Sequence, residues 1–128
     1  REWRVGQRER FKIPMLWYGD VLKDDYIGST HHQMGSHVDI SATVLNQLNV
    51  NHSEFQWSRD LLNTSVKPAI PFAFHRGYGL INRKGYYAFS EDYQTVFEHH
   101  YKDSLSGDQI KKEAELYFQS AFQDYLDL

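Results

Sequence analysis

The stretch PFAFHRGYGLINRKGYYAFSEDYQTVFEHH, residues 71–100, decides the fold because it has the pattern of several short strands. Apolar and polar residues alternate loosely along it, and β-branched and aromatic residues dominate, which is typical of strands. The tetrapeptide NRKG, residues 82–85, is typical of a turn. The pattern therefore predicts an antiparallel meander of two or three strands, over residues 72–81, 86–90 and 94–98.

The segment that follows, SLSGDQIKKEAELYFQSAFQDYLDL (residues 104–128), has the spacing of an amphipathic helix. We predict a terminal helix here, with Ser106 or Asp108 as its N-cap. Its apolar face would carry Ile110, Ala114, Tyr117, Phe118, Ala121, Phe122 and Tyr125.

Three shorter segments precede the meander. FKIPMLWYG, residues 11–19, is a short apolar run that predicts a buried strand with Pro14 near its start. VDISATVLNQL, residues 38–48, predicts a helix capped by Asp39 or Ser41. HSEFQWSRDLLN, residues 52–63, predicts a short helical turn. The apolar face of the predicted helix would consist of Ile40, Val44, Leu45 and Leu48.

Composition narrows the class of protein. A chain of 128 residues favours one domain, and 16% aromatic residues can bury a large area. With a net charge of −3 we expect no nucleic-acid partner, because the four arginines of residues 1–10 are interspersed with two glutamates and indicate a solvated segment of mixed charge. An anion contact from Arg4, Arg8 or Arg10 stays open. The absence of cysteine excludes disulfides and thiolate metal sites.

Three blocks, taken in order, resemble a known family: FKIPMLWYGDVL, GSHVDISATVLNQLNV and FQWSRDLLN. They are similar to the C-terminal portion of sulfatase-like enzymes of the alkaline phosphatase superfamily, in the lipoteichoic acid synthase and phosphoglycerol transferase branch. FAFHRGYGLINRKGYYAF resembles the antiparallel hairpin of these proteins, and KEAELYFQSAFQDYL resembles their final helix. The matching positions within the second and third blocks are Val38, Asp39, Ile40, Thr43, Leu45, Phe55, Arg59, Asp60, Leu61 and Leu62.

The resemblance implies an α/β fold, the C-terminal fragment of an alkaline phosphatase-like α/β/α sandwich. Residues 1–128 would form a single piece of that domain, completed by an N-terminal remainder. Residues 1–65 would end the α/β core, residues 66–100 would form the hairpin or meander, and residues 104–128 the terminal helix. The parent would be anchored in a bacterial membrane by upstream spans, with this domain facing the periplasm or exterior.

The resemblance also implies the chemistry of the parent enzyme. It would act on phosphodiesters (phosphoglycerol or phosphoethanolamine) or sulfate esters, through a Thr or Ser nucleophile beside a divalent Mn, Zn, Mg or Ca ion. The family's metal-binding Asp-His pair would lie just before Arg1, and no Asp-His dipeptide occurs in this chain. We therefore expect the chain alone to lack catalytic residues and metal ligands, and to be inactive.

The chain departs from the family pattern at two places. The family often has proline two residues before the threonine of the second block, where this chain has Ser41. It often has glutamine before VDI, where this chain has His37. Neither departure changes the predicted fold, but both leave the substrate of the parent enzyme undetermined.

His31, His32, His37 and Asp39 crowd into nine residues and allow three interpretations. They could ligate zinc or manganese, because imidazole and carboxylate suit those ions, but their spacing matches no metal signature. They could form a plain loop that ends in a helix cap, with Asp39 bonded to backbone amides. In the third interpretation, which rests on the resemblance, His31 or His32 contacts the phosphate or sulfate head group of the substrate.

The sequence also allows a second, non-catalytic class of function. The chain could be a small non-catalytic module that binds glycan or peptide. In that case exposed aromatic side chains would form a face on which sugars stack. The candidates for that face are Trp57, Tyr78, Tyr86 and Tyr87.

Overall fold

The computed structural model describes residues 11–92 and 94–128 as a mixed α/β protein with a four-stranded antiparallel sheet and a C-terminal helix. It divides into two compact units. One consists of the described residues 11–13 together with Ala69–Leu128, and it contains the sheet and the terminal helix. The other is Pro14–Pro68, which contains a short helix, α1 (Ile40–Gln47).

The sheet confirms the predicted antiparallel meander. Its strands, in the spatial order β1-β2-β3-β4, are β1 (Ala69–Phe74), β2 (Gly77–Asn82), β3 (Gly85–Ser90) and β4 (Thr95–Tyr101). Neighbouring strands pair antiparallel throughout, so each connection is a hairpin. The pairing of β3 with β4 shifts register between Ala88 and Phe89, which marks an irregularity in the ladder.

The single strand predicted over residues 72–81 is wrong, because two residues in its middle form a turn. His75 and Arg76 join β1 to β2, and Arg76 adopts a positive φ of 49°. Phe74 and Gly77 then face each other as the last pair of that hairpin. The predicted NRKG turn is present: the Asn82 side chain accepts hydrogen bonds from the amides of Lys84 at 2.8 Å and Gly85 at 3.2 Å.

The terminal helix, α2 (Ser104–Leu126), packs on one face of the sheet. Leu80 and Tyr87 from the sheet form the buried core with Ile110 and Ala114 from the helix. Burial declines along α2, so that Phe122 and Tyr125 are 62% and 69% exposed although their spacing continues the apolar face. Only the first half of the predicted face is therefore core.

The N-cap of α2 is Asp103, so the predicted caps Ser106 and Asp108 are wrong. The Asp103 carboxylate accepts a hydrogen bond from the Ser106 amide at 2.7 Å. The helix begins at Ser104, as the predicted range 104–128 has it, and Gly107 lies in its first turns. A Cβ at Gly107 would lie 2.7 Å from the Tyr101 ring, so glycine lets the helix approach β4 closely.

Aromatic rings cover the opposite face of the sheet. The Phe72 ring stacks on Tyr86 with 5.4 Å between centroids, and Phe11 packs on Phe72 at 4.5 Å. Phe72 faces Gly79 across the β1–β2 pairing. A Cβ at Gly79 would lie 2.2 Å from the Phe72 ring and 2.4 Å from the Tyr87 carbonyl oxygen, so this position requires glycine.

The strand predicted over residues 11–19 is wrong. Residues 12–18 have no regular structure, and within the described part of the chain no strand pairs with them. Leu16 and Tyr18 are 92% and 98% exposed, so the apolar run is not buried as expected. Pro14 lacks an N–H, which weakens any ladder here. In the ranges 11–92 and 94–128, no helix is long and apolar enough to cross a bilayer.

Gly79→Ala should destabilise the sheet by about 2 kcal/mol or more, because the new methyl group meets a backbone oxygen that cannot move independently. Urea unfolding followed by circular dichroism measures this. Ala73→Val adds bulk at an exposed position of β1 and should change the free energy of unfolding by less than about 0.5 kcal/mol. Equal effects of the two substitutions would contradict the close packing at Gly79.

The Asp103 cap predicts a pH dependence for α2. Hydrogen bonding to Ser106 lowers the pKa of the Asp103 carboxyl below its ordinary value of 3.8. A carboxyl whose folded-state pKa is depressed stabilises the fold above its unfolded pKa, and this contribution is lost as pH falls through the folded pKa. Helicity should therefore decrease in acid below about pH 4. Asp103→Asn keeps a capping oxygen without the titration, so its helicity should fall less over the same range; an identical acid profile would contradict the assignment.

Candidate functional site

A buried carboxylate lies at the centre of the 14–68 unit. Asp39 is fully buried and forms a bidentate ion pair with Arg59: Nη2 lies 2.7 Å from Oδ2, and Nε lies 3.0 Å from Oδ1. The same carboxylate accepts hydrogen bonds from the backbone amides of Ser36 at 2.9 Å and Arg59 at 3.0 Å. The expectation that Asp39 bonds to backbone amides is thus confirmed. The two oxygens accept four hydrogen bonds, which compensates the burial of the charge.

The start of α1 is organised around this carboxylate. A 3-10 turn, His37–Asp39, precedes the helix, and Ser36 caps it by accepting from the Val38 amide at 3.3 Å. Ser36 and Asp39 form a reciprocal capping box. Of the two predicted caps of α1, Asp39 is confirmed as the N-cap residue, although its carboxylate bonds to Ser36 and Arg59 instead of to the first turn of α1, and Ser41 is wrong because it lies inside the helix.

Helix α1 buries a polar face. Asp39, Thr43 and Gln47 follow one another at intervals of four residues and are all buried, whereas Leu48 of the predicted apolar face is 51% exposed. The Gln47 side chain accepts a hydrogen bond from the Lys23 amide at 3.0 Å. The buried polar atoms of α1 thus serve the backbone of its neighbours, which a count of apolar residues does not reveal.

The segment 58–62 is the main partner of this polar face. The Thr43 hydroxyl donates to the Asp39 carbonyl at 2.6 Å and accepts from the Leu61 amide at 2.9 Å. The remaining contacts join the Ser58 hydroxyl to the Ala42 amide at 2.8 Å, and Asn46 to the Asp60 carboxylate. We call these residues the polar framework: Ser36, Asp39, Thr43, Asn46, Gln47, Ser58, Arg59 and Asp60.

The loop that carries the candidate histidines contacts residues 61–63, next to this framework, through Gln33 and Gly35. The Gln33 amide donates to the Asn63 carbonyl at 3.1 Å. Gly35 approaches Leu61 so closely that a Cβ would lie 2.1 Å from its Cδ2 atom. His31 and His32, just before Gln33, are exposed. The loop therefore places two imidazoles in solvent while its end is held by the contacts of Gln33 and Gly35.

His31 has one nitrogen already engaged. The Ser29 hydroxyl donates to the Tyr26 carbonyl at 2.6 Å and lies 2.9 Å from His31 Nε2. Because the hydroxyl proton is directed to Tyr26, Nε2–H is the donor to Ser29 Oγ. The His31 ring also packs on the Tyr26 ring at 5.6 Å between centroids. His31 does not therefore act as a base towards Ser29, and its Nδ1 is the nitrogen that can meet a ligand.

The four residues of the metal hypothesis do not share one role. His37 is exposed at the start of the 3-10 turn, and the Asp39 carboxylate is occupied by Arg59. Across residues 11–92 and 94–128, no three His, Asp or Glu side chains lie close enough to hold a metal ion.

A second feature lies in the sheet unit, between β3, β4 and the first turns of α2. A cavity of about 390 Å³ opens there, and we call it the α2–β4 cavity. It is lined by Tyr87, Val96, His99, Tyr101, Ser104, Gly107, Asp108 and Lys111. Sequence reasoning missed it because these residues come from three elements that meet only through the strand register and the packing of α2.

Tyr87 borders this cavity but contributes almost none of its surface. It is 1% exposed, and its hydroxyl has no hydrogen-bond partner in the described part of the chain. Burial raises the pKa of this hydroxyl far above its ordinary value, and the neighbouring Tyr78, Glu115 and Tyr101 raise it further. The hydroxyl is therefore protonated at neutral pH and can donate.

The predicted sugar-stacking face is not formed as expected. Tyr86 and Tyr87 are both 1% exposed, and the cross-strand register places them on opposite faces of the sheet. Tyr78 packs on Phe118 of α2 at 4.6 Å between centroids. These tyrosines contribute to packing, and none of them offers an open ring.

Comparison of the chain with protein-family models, curated proteins and solved structures finds no match. The case for a function therefore rests on the residues themselves and on their arrangement.

Thr43→Val should lower the free energy of unfolding by about 1–3 kcal/mol, because it leaves the half-buried Leu61 amide without its acceptor. Urea unfolding followed by tryptophan fluorescence measures this, and Trp3→Phe in every variant restricts the signal to Trp17 and Trp57, which both belong to this unit. Thr64→Val, at an exposed turn position, is the matched control and should change the free energy by less than about 0.5 kcal/mol. A neutral Thr43→Val would show that the polar framework does not stabilise the unit.

Proposed function

We propose that this chain is the C-terminal part of a sulfatase-like, metal-dependent phosphotransferase or hydrolase of the alkaline phosphatase superfamily. The parent enzyme acts on phosphodiesters, of the phosphoglycerol or phosphoethanolamine type, or on sulfate esters. The finer fold assignment, the end of an α/β/α sandwich followed by an antiparallel meander, belongs to the same proposal.

One observation supports the proposal beyond the order of the sequence blocks. The second and third blocks resemble the family through residues that include Asp39, Thr43, Arg59 and Asp60, and these four side chains belong to the polar framework. The other six matching positions lie outside the framework, and two of them, Val38 and Phe55, are about half exposed. The support is therefore that four of the ten matching positions belong to one network of contacts.

In this proposal the histidine loop lies on the substrate side of the cleft. His31 and His32 are exposed on a loop anchored by Gln33 and Gly35. His31 Nε2–H is held by Ser29, so Nδ1 meets the anionic head group, as a donor when the ring is protonated. The role of this chain is to bind and orient a phosphate or sulfate ester.

The proposal assigns the divalent metal of the parent to residues upstream of Arg1, as the family resemblance implies. Membrane anchoring and a periplasmic or exterior location are proposed for the parent on the same resemblance.

The reading frame upstream of the Arg1 codon provides the direct test. We expect it to encode membrane spans, a Thr or Ser nucleophile and an Asp-His pair shortly before Arg1. A frame that begins within a few codons of Arg1 would contradict the proposal.

The role of the histidine loop is tested on the chain itself. Titration with glycerol 3-phosphate should shift the imidazole signals of His31 or His32, and the backbone amides of residues 29–35, in a saturable manner. His31→Ala with His32→Ala should abolish the amide shifts, whereas His100→Ala, at an exposed position of β4, should not. The chain alone, with added Mn²⁺, should not hydrolyse a phosphodiester above the buffer rate; measurable turnover would contradict its assignment as a non-catalytic part.

A further inference from the structure

We propose that Ser29 is a positioning residue that holds the His31 imidazole in one tautomer, and that His31, not His32, therefore contacts the head group of the ester. This inference rests on the proposed function, in which the two histidines are equal candidates. Both are exposed and adjacent in the chain, so exposure does not separate them. The contacts around each ring do separate them.

The His31 ring has a partner on two sides. Its Nε2 lies 2.9 Å from Ser29 Oγ, and the ring packs on Tyr26 with 57° between the ring planes. In the described ranges of the chain, no hydrogen bond or ring contact involves His32. A ligand that binds His32 must therefore restrict a side chain that has several rotamers, whereas His31 is already ordered.

The Ser29 hydroxyl is itself held by the backbone. The Tyr26 carbonyl accepts hydrogen bonds from the Ser29 amide at 3.2 Å and from its hydroxyl at 2.6 Å. The chain turns back to Tyr26 at Gly28, whose φ of 71° favours glycine. Because the hydroxyl proton is directed to Tyr26, Ser29 Oγ accepts from Nε2–H and selects that tautomer of the neutral His31 ring.

The turn that carries Ser29 is connected to the polar framework. The Lys23 amide donates to Gln47 Oε1 at 3.0 Å, and Gln47 is 5% exposed on α1. The Lys23 carbonyl accepts from the Tyr26 amide at 2.9 Å. Hydrogen bonds therefore lead from a buried side chain through the backbone of this turn to Ser29 and His31. Such support is what keeps a binding side chain in one orientation.

The tautomer of each ring tests the positioning without a ligand. In long-range ¹H–¹⁵N correlation spectra at alkaline pH, His31 should show the Nε2–H tautomer alone and His32 a mixture of both tautomers. Ser29→Ala should give His31 the pattern of His32, whereas Ser29→Thr, which keeps the hydroxyl, should retain the single tautomer. Thr30→Ala, at the adjacent exposed position, is the control and should change neither ring. A mixture at His31 in the unsubstituted chain, or no change in Ser29→Ala, would overturn the proposal.

Titration with glycerol 3-phosphate separates the two histidines. His31→Ala alone should abolish the saturable amide shifts of residues 29–35, whereas His32→Ala should retain them. Ser29→Ala should weaken the affinity roughly two- to tenfold, because the ring must then be ordered on binding, and Ser29→Thr should restore it. Loss of the response in His32→Ala with retention in His31→Ala would overturn the proposal.

The same two experiments distinguish a failure of this inference from a failure of the proposed function. A chain that holds one His31 tautomer but gives no response to glycerol 3-phosphate would contradict the proposed function, and with it the ligand role of His31. A response without the single tautomer would contradict the positioning by Ser29 and leave the proposed function standing.

Discussion

The buried carboxylate of Asp39 is the constraint around which the Pro14–Pro68 unit is built. A carboxylate without solvent contact is tolerated only when its charge and lone pairs are satisfied. Arg59 supplies the charge and three of the four donors, and the Ser36 amide supplies the fourth. The carboxylate therefore joins the start of α1 to a segment twenty residues further along the chain.

This interaction matters because the unit has little regular structure to satisfy its backbone. Its described residues contain one short α-helix and two 3-10 turns, and no strand. Side chains of the polar framework therefore form hydrogen bonds with backbone groups that would pair with a neighbouring strand in a sheet. Arg59 extends it by donating from Nη1 to the Lys67 carbonyl at 3.2 Å. The loop that carries His31 and His32 ends at Ser36, whose amide donates to this carboxylate, so Asp39 fixes the end of that loop.

The sequence predicts the meander and the terminal helix because both have strong local signals. Loose alternation and the Asn82 turn indicate the strands, and apolar residues at helical spacing indicate α2. The prediction fails at 72–81 because His75 and Arg76 fit a strand pattern as well as a turn. It fails at 11–19 because an apolar run indicates burial only when a neighbouring strand is available.

The candidate sites are harder to predict than the fold. Asp39, Thr43 and Gln47 have the same spacing as a helix face, but a rule that looks only for apolar residues selects the other side. Asp39 is recognisable as a helix-start residue, while its pairing with Arg59 is a tertiary contact without a local signal. The α2–β4 cavity is harder to predict than this ion pair. Its residues, among them Tyr87 and Asp108, come together only through the register of β3 with β4 and the packing of α2 on the sheet.

A double-mutant cycle between Asp39 and Arg59 tests the central claim most directly. Asp39→Ala, Arg59→Ala and the double variant are compared by urea unfolding in a Trp3→Phe background, with the fluorescence of Trp17 and Trp57 as the probe. Removal of either partner alone leaves the other without its compensation, so the account predicts a coupling energy above about 1 kcal/mol and a double variant more stable than the sum of the single losses implies. Losses that add within about 0.5 kcal/mol would show that the two residues stabilise the unit independently and would contradict the account.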